Sequence, residues 1–109
     1  MSSDLPESDW RRFKEIHAKA EELCCQRILA EVEAVMNSGA AGSAYDRYWK
    51  VYKLIEERKQ QMARVFDDFR RSTAVMQLGI MRRMKLLTDE DLGLFTELTR
   101  ARIEEIASL

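Results

Sequence analysis

The fold of this chain is decided by residues 45–80, which read YDRYWKVYKLIEERKQQMARVFDDFRRSTAVMQLGI. Within this stretch a series of positions is spaced by alternating steps of three and four residues. The series consists of Tyr45, Tyr48, Tyr52, Ile55, Lys59, Met62, Phe66, Phe69, Thr73, Met76 and Ile80. All of these positions except Lys59 and Thr73 are large and apolar or aromatic. Such heptad spacing is typical of a long helix with one continuous stripe against a partner. It predicts an all-α fold around a long central helix over about residues 44–87.

Two further helices are predicted, one on each side of the central helix. An apolar stripe that begins at Trp10 predicts a helix over about residues 9–37, which ends where Asn37, Ser38 and Gly39 follow. A third helix over about residues 89–108 is indicated by Thr88, a good N-cap, and by the three acidic residues after it. Short connections favour an antiparallel arrangement of the three helices. We expect one helical domain over residues 8–109, preceded by a disordered tail over residues 1–7.

The predicted central helix contains residues at which it could be interrupted. Ser72, Thr73 and Gly79 are poor helix formers, and an interior glycine costs about 1 kcal/mol relative to alanine. A continuous helix is the preferred reading, and a break near Arg71–Thr73 is the alternative. In either case the third helix should fold back along the central one, so that its end meets the start of the first helix near Phe66–Phe69.

The central helix also carries a second apolar row beside the heptad series. It consists of Val51, Leu54, Val65, Val75, Leu78 and Met81. One neighbouring helix at a time cannot cover both rows, whereas a second copy of the chain can do so in a helical bundle. We therefore predict a homodimer. A compact monomer with a broken central helix is the alternative.

The net charge of −1 conceals an uneven distribution along the chain. Residues 43–87 carry eleven basic and five acidic groups, a net charge of +6, while residues 1–42 carry −3 and residues 88–109 carry −4. Acidic outer helices beside a basic central helix would attract each other, which selects an arrangement more than it stabilises one. The N-terminus lacks the basic start and apolar core of a secretory signal, and no apolar run approaches the roughly 20 residues of a membrane span. These features predict a cytoplasmic protein that does not enter a membrane.

No set of residues for catalysis, cofactor binding or metal binding can be assembled. His17 is the single histidine, which excludes a di-iron bundle with Glu-x-x-His motifs on two helices. The adjacent Cys24 and Cys25 point about 100° apart on a helix, so they are interpreted as reduced apolar residues rather than a disulfide. Phosphate-binding loops and nucleophile elbows are absent from the sequence. We predict a protein that is not an enzyme and holds no cofactor and no metal.

The predicted function is that of a helical protein–protein interaction module: an adaptor, a regulator or a small assembly subunit that binds itself and another protein. The residues expected to form its interfaces are Tyr48, Trp49, Tyr52, Phe66, Phe69, Arg70, Arg71, Met76, Arg82 and Arg83. One alternative is a nucleic-acid-binding regulator that uses the basic end of the central helix, although the pI of about 5.9 is low for that class. The other is a peptide- or holdase-type chaperone with a groove of methionine and aromatic side chains.

Overall fold

The computed structural model describes residues 5–38 and 42–109, and its regular elements are all helical. The α-helices are α1 (Glu7–Met36), α2 (Ala44–Phe66), α3 (Ala74–Arg83), α4 (Asp89–Leu92) and α5 (Glu97–Ala107). A 3-10 turn at Arg71–Thr73 leads into α3. The prediction of an all-α fold is confirmed.

The prediction of one continuous helix over residues 44–87 is wrong, because the chain leaves α2 after Phe66 and resumes with the 3-10 turn. Local hydrogen bonds hold this interruption. The carbonyl of Asp68 accepts a bond from the Thr73 hydroxyl at 3.1 Å and another from the Gln77 side-chain amide. Side chains that bond nearby backbone groups in this way compete with the helical pattern. The alternative of a break near Arg71–Thr73 therefore describes the structure better.

The predicted third helix over residues 89–108 is divided into α4 and α5. The interruption covers residues 93–96, and the backbone N–H of Thr96 donates to the carboxylate of Asp9 at 2.9 Å. Asp9 lies near the start of α1, so the beginning of α5 lies beside the beginning of α1. The expectation that the end of the third helix would lie there is wrong.

The predicted disordered tail is wrong for residues 5–7. Leu5 is buried, Glu7 begins α1, and the guanidinium of Arg71 donates to the Leu5 carbonyl at 2.7 Å. The rest of that tail, residues 1–4, lies outside the described residues. The single domain over residues 8–109 remains a prediction.

Two predicted helix starts are confirmed by their caps. The Ser43 hydroxyl accepts from the backbone N–H of Asp46, and the Asp46 carboxylate accepts from the backbone N–H of Ser43. Thr88 and Asp91 make the same reciprocal pair at the start of α4. Two helix N–H groups are satisfied at each site, which fixes where the helix begins.

Burial divides the described chain into two regions. Every buried apolar side chain lies at or before Cys24 or at or after Val65. We call residues 5–24 and 65–109 the head; its most deeply buried side chains include Phe13, Leu78, Met81 and Ile103. We call residues 25–64 the arm, and none of its described residues is buried. The elongated dimensions of 56 × 25 × 23 Å agree with this division.

Candidate interaction surfaces

The arm is a pair of helices, the second half of α1 and most of α2, that cover each other only in part. A two-point ion pair joins them: Arg58 Nε lies 3.1 Å from Glu31 Oε1, and Arg58 Nη2 lies 2.8 Å from Glu31 Oε2. Ile28 and Met62 pack against the edge of the head core. Among the described residues the two arm helices mainly contact each other, and their other sides are open to solvent.

Seven large apolar or aromatic side chains of the arm are exposed, with between 41 % and 69 % of their surface accessible. We call this set the arm face: Leu29, Met36, Tyr45, Tyr48, Trp49, Tyr52 and Ile55. Grouped exposed apolar side chains are unusual on monomeric soluble proteins, which makes the arm face a candidate interaction surface.

The aromatic members of the arm face form one connected cluster. The Trp49 ring makes edge-to-face contacts with Tyr45, Tyr48 and Tyr52, with ring centroids between 5.6 and 6.2 Å apart. Their separations of one, three and four residues place them on one broad side of α2. Tyrosine and tryptophan combine a large apolar surface with a hydrogen-bonding group, which is why they are enriched in protein interfaces.

A groove of about 340 Å³ runs between the two arm helices next to this cluster. Most of its lining is apolar: Cys25, Ile28, Leu29, Val32, Ile55 and Met62, with Arg58 and Lys59 completing it. Leu29 and Ile55 belong to both the groove and the arm face, so the two form one continuous apolar surface.

The two cysteines lie where the head core meets the groove. Both are free; Cys24 is buried, and Cys25 is half-buried in the lining of the groove. Burial is the main cause that raises the pKa of the Cys24 thiol, and the neighbouring Cys25 adds to the effect. A thiol with a raised pKa stays protonated at neutral pH and is a poor nucleophile.

The structure brings together Tyr48, Trp49 and Tyr52 of the residues predicted for an interface. Phe66, in contrast, is only 3 % exposed and belongs to the head core, so its predicted place in an interface is wrong. Met76 is exposed on α3, away from the arm. The predicted set is therefore divided between different parts of the molecule.

Phe69 contributes to an aromatic cluster of the head. It is 43 % exposed and contacts Trp10, Phe13 and His17 of α1, with centroids between 4.6 and 5.5 Å apart. Nε2 of His17 lies 3.0 Å from the Phe66 carbonyl. Since a carbonyl can only accept, this nitrogen carries the proton, and His17 ties α1 to the last turn of α2.

The four arginines predicted for an interface are all engaged within the chain. Arg70 pairs with Asp68, and Arg71 bonds the Leu5 carbonyl and Glu7. Arg82 is half-buried and bridges Asp89 at 2.6 Å and Glu104 at 3.0 Å. Arg83 donates to carbonyls at the end of α5. The attraction between a basic centre and acidic flanks thus appears as specific ion pairs in the head.

Sequence reasoning missed Leu29, Met36 and Ile55 as members of the exposed surface. The signal was available in part, because Leu29 and Met36 widen the apolar stripe of α1 beyond the width that one neighbouring helix covers. Ile55 is a regular member of the heptad series, and that spacing predicts a buried position between helices. Its exposure of 46 % reflects the absence of any further element beside the arm among the described residues.

The described residues were compared with the requirements of a metal site and of a membrane span. Across residues 5–38 and 42–109, the His, Cys, Asp and Glu side chains form no cluster of three or more able to hold a metal ion. In the same part of the chain, no helix has both the length and the apolar character that a membrane span requires.

The fold has close structural relatives. The structure of the Fluorescence Recovery Protein from Synechocystis sp PCC 6803 superposes with a TM-score of 0.80, covering 95 % of this chain and 98 % of that one at 17 % sequence identity. An arginine-to-lysine mutant of that protein matches equally well in TM-score and coverage, at 18 % identity. No protein-family model and no curated protein matches the chain. At this level of identity the likeness establishes the fold.

Proposed function

We propose that this chain is a non-enzymatic protein–protein interaction module that associates with itself through the arm face. It would act as an adaptor, a regulator or a small assembly subunit in the cytoplasm. The observation that carries the proposal is the arm itself, a pair of helices with no buried residue among those described and with seven large apolar side chains open to solvent.

Self-association would cover the apolar side chains that the arm leaves exposed. Two arms placed face to face would give a cross-section of four helices, in which each helix gains a second neighbour and its outer apolar side is covered. A homodimer formed by two identical faces is the commonest closed assembly. The tyrosines and Trp49 would lie near the centre of such an interface, where aromatic side chains contribute most to binding.

The resemblance in fold is compatible with this proposal. Fluorescence Recovery Protein is named for an effect rather than for a reaction that it catalyses, and it shares the whole architecture of this chain. The fold alone does not carry that effect over to a sequence of such low identity.

The structure favours protein binding over the nucleic-acid alternative at the basic end of the predicted central helix. Three arginines of this region, Arg70, Arg71 and Arg82, already form ion pairs with carboxylates of this chain. Cations that already have partners release fewer counterions when they meet phosphates, so they contribute less affinity.

The proposal is tested by molar mass in solution, measured by size-exclusion chromatography with light scattering. We expect a mass near twice the 12.8 kDa of one chain. Ile55→Glu places a charge in the arm face and should give the single-chain mass with unchanged helical content. Leu98→Glu is the matched control, because Leu98 is exposed and has the same size as Ile55 but lies on α5, outside the arm face.

Two results would count against the proposal. A wild-type protein that runs as a monomer at concentrations up to hundreds of micromolar would remove self-association. Equal loss of mass in Ile55→Glu and Leu98→Glu would show that the assembly does not use the arm face.

A further inference from the structure

A second recess lies at the junction of arm and head, between the last turns of α2 and the second half of α3. Its volume is about 430 Å³, and it is lined by Gln61, Arg64, Val65, Ile80, Arg83 and Met84. Val65 is buried, and Ile80 and Met84 are half-buried, so they form an apolar floor. We call this recess the α2–α3 crevice.

The crevice has cations at its edge and no acidic residue in its lining. Arg83 is positioned by hydrogen bonds from Nη2 to the Ile106 carbonyl at 2.8 Å and from Nε to the Ala107 carbonyl at 3.4 Å. Arg64 is exposed and makes no ion pair with any acidic side chain of the described residues.

The backbone at Met84 and Lys85 is held in place by the side chain of Arg27. Arg27 donates to the carbonyls of Met84 at 3.1 Å and of Lys85 at 2.8 Å. The backbone that carries Met84 is therefore anchored to α1, so this wall of the crevice is fixed by contacts with another helix.

The crevice points away from Ile55, which is the arm-face residue of α2 nearest to it along the chain. Arg64 follows Ile55 by nine residues, and at about 100° per residue the two side chains point in opposite directions from the helix axis. A second copy that covers Ile55 would therefore leave Arg64 free.

We propose that the α2–α3 crevice docks an acidic peptide segment of a partner protein. One large apolar side chain of that segment would lie over Val65 and Ile80, and its carboxylates would pair with Arg64 and Arg83. This proposal builds on the interaction role proposed above, but it uses a separate surface and names the chemistry of the partner.

The lining itself selects this class of partner. Arginine is well suited to carboxylates, which it can bind through two parallel hydrogen bonds. A single-stranded nucleic acid would need aromatic side chains on which its bases stack, and the crevice lining contains none. An apolar floor between two cations fits an aspartate- or glutamate-rich segment with a leucine, isoleucine or phenylalanine inside it.

The experiment uses the full chain and a display library of twelve-residue peptides in which Asp and Glu alternate with Leu, Ile and Phe. We expect enrichment of binders over a library of neutral polar peptides, and we expect chemical-shift changes at Val65, Ile80 and Met84 when a selected peptide is titrated. Arg64→Glu should weaken that peptide roughly ten- to hundredfold. Lys50→Glu, the same charge reversal at an exposed site on the same helix, should change affinity by less than about threefold.

Three outcomes would overturn the proposal: no enrichment over the neutral library, equal weakening by Arg64→Glu and Lys50→Glu, or tighter binding of single-stranded DNA than of any acidic peptide at the crevice. The light-scattering mass of Arg64→Glu separates the two proposals. If the variant keeps the mass of the wild type and binds no peptide, self-association stands whatever the fate of the crevice.

Discussion

Gly79 of α3 packs against the side chain of Ile106 in α5 so closely that the contact has no room for a methyl group. A Cβ at position 79 would overlap both Cβ and Cγ2 of Ile106, and the Ile103 carbonyl lies just beyond at 3.5 Å. Gly79, which the sequence presents as a weak point of a helix, thus allows two head helices to approach closely.

Gly79→Ala should therefore destabilise the head. Alanine gains about 1 kcal/mol of helix propensity over glycine, but overpacking of a tight contact costs about 1–3 kcal/mol. The overlap involves the Cβ of Ile106, which cannot move without its backbone, so we expect a net loss of about 1 kcal/mol or more. Urea denaturation measures it. Gly93→Ala, whose Cβ would meet only backbone oxygens at 3.3 Å and beyond, should cost less; an equal cost would contradict this account.

Asp9 is predicted to be the most sensitive polar residue of the head. Its carboxylate is 1 % exposed and accepts hydrogen bonds from the Thr96 backbone at 2.9 Å, the Thr96 hydroxyl at 2.7 Å and the Thr99 hydroxyl at 2.6 Å. Asp9→Asn removes the negative charge and replaces one accepting oxygen with an NH2 group. That group is a donor, and it would face threonine groups that also donate. We expect a loss of about 1–3 kcal/mol in the free energy of unfolding. Glu105→Gln, an exposed carboxylate change on α5, should stay within about 0.5 kcal/mol.

Stability should fall in acid, and two buried carboxylates should account for much of the fall. Burial raises the pKa of Asp9, but the hydrogen bonds from Thr99 and Thr96 outweigh it and hold the pKa below 3.8. Burial likewise raises the pKa of Asp91, while Lys19 at 2.7 Å and the bonds with Thr88 lower it below the same value.

A lowered pKa in the folded state means that the unfolded chain takes up the proton first. The stabilisation is therefore complete at pH values above the ordinary pKa and is lost as the pH falls through the folded-state values. Denaturation curves between pH 7 and pH 2.5 measure this loss. In Asp9→Asn the acid-induced loss should be smaller than in the wild type, and an unchanged slope would show that other groups dominate.

Lys85 is the one non-glycine residue with positive φ among those described, at 62°. A side chain in this left-handed conformation costs about 1–2 kcal/mol, whereas glycine adopts it freely and has its own entropic cost of about 0.5–1 kcal/mol. Lys85→Gly should raise the free energy of unfolding by about 0.5–1 kcal/mol, measured by urea denaturation. Lys85→Ala is the control, since it removes the charge but keeps the strain; a gain of the same size in Lys85→Ala would assign the effect to charge.

The helical class and the helix starts could be predicted because they depend on local features. Heptad spacing, the Ser43 cap and the Thr88 cap are each contained within a few neighbouring residues. A break near Arg71–Thr73 could be anticipated as an alternative, but its start directly after Phe66 could not, because Phe69 keeps the heptad spacing across it. In the structure Phe69 uses that position to contact Trp10, Phe13 and His17 rather than to continue a helical stripe.

The division of the third helix could not be predicted, because its cause lies far away in the chain. Thr96 is held by Asp9, which is 87 positions earlier, and no local pattern announces that contact. The same holds for the division into arm and head. Phe66 and Tyr52 occupy equivalent positions in the heptad series, yet Phe66 is 3 % exposed and Tyr52 is 49 % exposed, because α3 to α5 fold back over only one end of α2.

Ile55 and Arg64 point in opposite directions from the axis of α2, and this arrangement affects how strongly the molecule can bind a partner protein. A pair of chains joined through Ile55 would carry two crevices related by a twofold axis. A partner with two acidic segments could then occupy both, and the second contact would form at a high effective concentration. Assembly would thereby convert a weak single contact into a tight bivalent one, and dissociation of the pair would release the partner.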